Sequence, residues 1–120
     1  MIEIMPESEG KTLVVKATGT LTAQDYEEVF IPQLNQRLEK FGKIRVLMYL
    51  AENFTGWELS AAWDDAVFGV KHRHDFEKIA VVGGQQWVKW ATKLGGYFVD
   101  GQVVTYASDE FQDAVNWLKQ

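Results

Sequence analysis

Apolar and polar positions alternate along this chain with two different periods, and the switches between them predict its elements. Ile2 to Met5 alternates weakly and reads as an edge strand, and Pro6 to Gly10 reads as a turn. Thr12 to Gly19 is rich in Val and Thr, so it forms the antiparallel return strand of a hairpin. Thr22 followed by Asp25 is a helix-start signature. Tyr26, Phe30, Leu34, Leu38 and Phe41 then recur at helical spacing. Pro32 falls inside that stripe, where it kinks the helix or restarts it, and Gly42 ends it.

From Ile44 to Ala51 the chain is nearly all apolar, the mark of a strand covered on both faces. Leu59, Ala62, Trp63, Ala66, Val67 and Val70 make a second helical stripe. Ile79 to Val82 is another buried strand, closed by Gly83 and Gly84. Gln85 to Leu94 is a short helix, and Gln102 to Tyr106 a further strand. Ser108 then caps a last helix carrying Phe111, Val115 and Leu118, with Glu110 and Asp113 near its positive end. The predicted order is β-β-α-β-α-β-α-β-α. It implies an α/β fold: one domain over residues 1–120, a mixed, mostly parallel sheet with an N-terminal antiparallel hairpin, and about four helices.

Composition narrows the function. The 120 residues are 47% hydrophobic and 24% charged, which is globular composition. The absence of cysteine removes disulfides, thiolate nucleophiles and cysteine-based metal sites. A net charge of −5, with lysine and arginine scattered, argues against nucleic acid as a partner. The N-terminus has neither the basic nor the apolar region of a signal peptide, and no apolar run approaches the roughly 20 residues that span a bilayer. A cytoplasmic protein, soluble or peripheral to a membrane, is expected.

No catalytic constellation assembles, so an enzyme is not expected, and neither a cofactor nor a bound metal. His72 and His74 sit where a helix should end, a place that favours cations for dipole reasons alone. Ser60 and Ser108 read as caps, and Asp64 and Asp65 as a solvated helix face. Gly83 and Gly84 precede a helix and could cradle an anion, but they lack the spacing of a phosphate loop and read as a tight turn.

Several stretches in order resemble the SpoIIAA-like family within the STAS superfamily: Asp25 to Glu28 with Ile31 and Pro32; Phe54 to Trp57; Ala62 to Asp65 running into Phe68 to His72; Asp75 to Gly83; and Trp87. The resemblance covers nearly the whole chain. It implies a STAS-like fold and a binding or regulatory module. In phosphorylated members of that superfamily, the anti-sigma-factor antagonists, a serine in an Asp-Ser-Ser-Gly stretch is the switch. Here the matching place reads Asn53-Phe54-Thr55-Gly56, so the resemblance puts Thr55 on the switch position while departing at the two residues before it. The residues alone also allow a plain turn there, with Gly56 supplying an unusual backbone angle.

Five tryptophans in 120 residues are the anomaly. On the short helix, Trp87, Val88, Trp90, Ala91 and Leu94 spread over an arc of roughly 160°, wider than a packed stripe needs, with Lys89 and Lys93 opposite. Two readings follow. In one, Phe54, Trp57, Trp87 and Trp90 bind an apolar small molecule or lipid, or face a membrane. In the other, Thr55 and the helix around Asp64 and Asp65 meet a protein partner. A homodimer is compatible with both, and so is simple use of tryptophan to fill a core.

Overall fold

A computed structural model describes residues 1–57, 74–84 and 102–120, apart from the side chains of Ala23, Tyr26 and Trp57. Five strands form the main sheet: β1 (Ile2–Ile4), β2 (Thr12–Ala17), β4 (Ile44–Leu50), β6 (Phe76–Val82) and β7 (Gln102–Tyr106). Their spatial order is β1-β2-β4-β6-β7. Only β1 and β2 are antiparallel, and every later pair is parallel. The expected mixed sheet with its N-terminal hairpin is what the chain forms.

Register divides the side chains between two cores. Leu13, Val46, Ile79 and Val103 align across four strands and look to one face. Val14, Leu47, Ala80 and Val104 align one position on and look to the other. Helix α2 (Ile31–Phe41) covers the first face with Leu34, next to Phe30, Leu21 and Phe54. The C-terminal helix α3 (Phe111–Lys119) covers the second with Ala114, Val115 and Leu118. Strand β4 is therefore apolar on both faces because each lies under a helix.

Local chemistry explains the boundaries. A single helical turn, α1 (Ala23–Asp25), starts on a reciprocal cap. The Asp25 amide donates to the Thr22 hydroxyl at 3.1 Å, and the Thr22 amide donates to the Asp25 carboxylate at 3.2 Å. Pro32 has no N–H to give to a carbonyl behind it, so the chain widens into a π-type turn (Tyr26–Phe30) before α2 restarts with the proline in its first turn. Gly42 ends α2 at φ +79°, its amide donating to the Leu38 carbonyl at 2.8 Å.

Three expectations change. The cap of the last helix is not the Ser108 side chain. A 3-10 turn (Ser108–Glu110) comes first, and Glu110 reaches back to accept from the Ala107 amide at 2.8 Å. Strand β6 begins at Phe76 rather than Ile79. A bulge opposite Ile44 and Arg45 leaves Glu77 without a partner on β4, so Phe76 and Ile79, three apart, share the first core. Finally, α2 and α3 are the helices longer than one turn among the described residues, where about four were expected. The two expected around 59–70 and 85–94 lie outside the described residues. A feature not foreseen is a second, two-stranded ladder, in which β3 (Thr20–Leu21) pairs in parallel with β5 (Gly56–Trp57).

Candidate functional site

The segment after β4 is held at successive points. The Ala51 amide donates to the Ala17 carbonyl at 3.0 Å, the Phe54 amide to the Ala51 carbonyl at 2.9 Å, and the Thr55 amide to the Gly19 carbonyl at 2.9 Å. Phe54 is 4% exposed and belongs to the first core, whereas Thr55 is exposed. The Thr55 and Thr20 hydroxyls share a hydrogen bond of 2.8 Å in which either can donate. Gly56, itself buried, has φ +126°, a conformation a side chain would strain. The loop is thus a turn that plants Phe54 inward and leaves Thr55 outward.

Phe54 accordingly does not face a membrane: it is packed in the interior. Trp57 places its backbone in β5, two residues beyond Thr55. Trp87, Trp90, Asp64 and Asp65 lie outside the described residues. The turn reading of Gly56 and the exposed placement of Thr55 coexist, because the backbone angle at Gly56 is what turns the chain back toward β3.

The side-chain charges along the loop and the start of the first helix are acidic, while the Met1 ammonium brings a positive charge to β3, donating to the Thr20 carbonyl at 3.2 Å. Glu27, Glu28, Glu52 and Asn53 are exposed, and no lysine or arginine falls within residues 19–30 or 51–57. Burial works to raise the Asp25 pKa, but hydrogen bonds from Thr22 and the Met1 ammonium, 3.2 Å away, outweigh it and hold the carboxyl below its ordinary range.

A second polar cluster, which sequence reasoning missed, sits at the opposite end of the sheet. Arg45 donates through Nε to Glu77 at 2.9 Å and through Nη1 to the Leu118 carbonyl at 2.9 Å. Lys11 reaches Glu77 at 3.0 Å. Lys78 donates to the Trp117 carbonyl at 3.0 Å and lies 5.0 Å from the centre of the Trp117 ring. Arg45 thus serves the Leu118 carbonyl at the end of α3, and Lys78 adds a second donor to the Trp117 carbonyl, which also accepts from the Gln120 amide at 3.3 Å. Hydrogen bonds from Arg45 and then Lys11 hold the Glu77 carboxyl below its ordinary range. The cluster docks a helix.

The remaining candidates find ordinary places. The Gly83 amide donates to the Tyr106 carbonyl at 3.1 Å, so it extends the sheet and is not offered to an anion. Ser8 Oγ accepts from the Val14 amide at 2.9 Å within the hairpin turn. Among the described residues, no three His, Asp or Glu side chains come together as a metal site. No helix among them is long and apolar enough to cross a membrane.

A mixed sheet with helices on both faces and a pinned loop beyond its central strand defines a SpoIIAA-like domain. A sequence model described as SpoIIAA-like matches residues 12–119, and the chain belongs to that family. It is similar to a crystal structure of an uncharacterized protein with a SpoIIAA-like fold from Shewanella loihica PV-4. The two are 32% identical with a TM-score of 0.73, over 98% of this chain and 93% of that one. No protein of curated function matches. The fold supports a regulatory, non-catalytic domain in general terms.

Proposed function

We propose that this protein is a regulatory module that binds a protein partner through the 51–57 loop and the adjoining β3, with Thr55 at the centre of the contact. The observation that carries the reading is the division of labour in the loop. Phe54 anchors it in the core while the Thr55 hydroxyl is presented outward on a backbone fixed at both sides. Such a surface is pre-organised, so binding costs little ordering. Its exposed carboxylates suit a basic partner surface. A phosphate on Thr55 would release that partner through lost fit, because it takes the hydroxyl out of the contact and puts bulk at its centre; the charge of about −1.5 to −2 that it adds would itself attract a basic surface.

The second reading, an apolar ligand or a membrane surface, rests on the arc of Trp87 and Trp90 with Lys89 and Lys93 opposite in the sequence. Phe54, buried in the first core, would serve that reading only as the lining of an interior pocket and not as a surface contact.

The deciding experiment is affinity purification from the source cells with wild type, Thr55→Glu and an exposed control, Lys40→Ala, each protein also being sedimented with neutral and anionic vesicles. The proposal expects one partner, retained by wild type and control, lost with Thr55→Glu, and re-bound when purified, with affinity falling as salt rises. Equal retention by Thr55→Glu overturns it. Vesicle binding by wild type with no protein partner supports the lipid reading, and a concentration-dependent dimer broken by Thr55→Glu makes a second copy of the chain the partner.

A further inference from the structure

We infer that the two-residue ladder β3–β5 couples the Thr55 loop to the start of the first helix, so that what engages the Thr55 hydroxyl is felt at the Thr22–Asp25 cap. The inference rests on the partner reading only for what triggers the coupling in the cell.

The connection is short. Thr20 shares its hydroxyl bond with Thr55 and pairs in register with Gly56, and Leu21 pairs with Trp57. The next residue, Thr22, is one half of the reciprocal cap with Asp25. Between the hydroxyl pair and the cap stands Leu21 alone, which is fully buried. A two-residue strand has no stability of its own, because longer hairpins are already marginal. It is held by the loop on one side, by the cap and the Leu21 side chain on the other, and by the Met1 ammonium, which donates to the Thr20 carbonyl at 3.2 Å and pairs with Asp25 at 3.2 Å. Loosening the loop or the cap loosens the strand between them, in a local opening that leaves the main sheet intact. Beyond the cap lies the π-type turn at Tyr26–Phe30, a rare geometry that recurs at functional sites.

A partner that uses the same donor or acceptor site of the Thr55 hydroxyl as Thr20 displaces Thr20 from it. It then competes with the bond that ties β3 down, and the cap responds. Coupling of this kind is reciprocal, so weakening the cap must also loosen the loop.

The test is amide hydrogen exchange on the full chain, read by NMR for wild type, Thr55→Val, Thr20→Val and Thr22→Ala. Both valine variants delete the same hydroxyl pair at an exposed site. Each is expected to speed exchange at the Thr22 and Asp25 amides by about 2- to 12-fold, the factor one net hydrogen bond represents, while the Leu47 amide in β4 is unchanged. Thr22→Ala is expected to speed exchange at the Thr55 amide by a similar factor. Faster exchange at Thr55 with Thr22 and Asp25 unmoved overturns the inference, as does no change anywhere. A uniform rise that includes Leu47 also overturns it, since the ladder would then open only with the whole domain. None of these outcomes bears on whether a partner binds, which the affinity experiment decides separately.

Discussion

Replacing Arg45 with methionine tests the account of how the last helix is held. Methionine keeps an unbranched stem and removes the guanidinium, and with it two bonds of 2.9 Å, one to Glu77 and one to the Leu118 carbonyl. Their losses differ. Glu77 keeps Lys11 and is about a third exposed, so its share resembles a surface pair, about 0–1 kcal/mol. Leu118 is fully buried, and its carbonyl is left without the Arg45 donor. That costs about 1–3 kcal/mol. The sum is about 1–4 kcal/mol, a substantial share of the 5–15 kcal/mol of a typical domain. Urea unfolding followed by far-UV circular dichroism measures it, with an unchanged slope showing that the midpoint shift is a stability change. The exposed Lys119–Glu9 pair, 3.6 Å apart, is the control. Lys119→Met should change stability by under about 0.5 kcal/mol. If Arg45→Met costs no more than Lys119→Met, the guanidinium is an ordinary surface charge and the capping argument fails.

Two further outcomes follow from the same structure. The folded-state pKa of Glu77 is depressed, so its contribution is fully present above the ordinary glutamate range and is lost as pH falls through the lowered value. Urea midpoints between pH 7 and pH 3 should therefore fall on the acid side in wild type and fall less steeply in Glu77→Gln; parallel curves would refute the assignment. Phe54→Ala should cost about 3–5 kcal/mol because the ring is core. A stable Phe54→Ala protein would return the ring to the surface and reopen it as a ligand contact.

Much of this fold was legible along the chain because burial imposes a period on the sequence. The nearly all-apolar run at β4 announced a strand covered on both faces. Thr22 with Asp25, and Gly42 after Phe41, marked the ends of a helical stretch through local hydrogen-bond needs. The bulge at Glu77 was not legible. It shifts the in–out alternation by one residue, so Phe76 looked out of phase with Ile79 and the strand seemed to begin later. Nor was the second ladder, since two residues are too few to show a period. The candidate site was partly legible: the resemblance drew attention to Asn53–Gly56, but residue types alone could not say that Phe54 goes in and Thr55 out.

What the sequence determined by itself, then, is whatever depends on neighbours along the chain: the periods, caps and breaks, and hence the order of elements and the α/β class. Tertiary structure decided whatever depends on groups far apart in sequence. Thr20 meets Thr55 across 35 residues, and Arg45 reaches Leu118 across 73. Such pairs leave no local trace, because each side chain alone is an ordinary threonine or arginine. Parallel strand register brings the two threonines together, and the packing of α3 on the sheet brings Arg45 to Leu118.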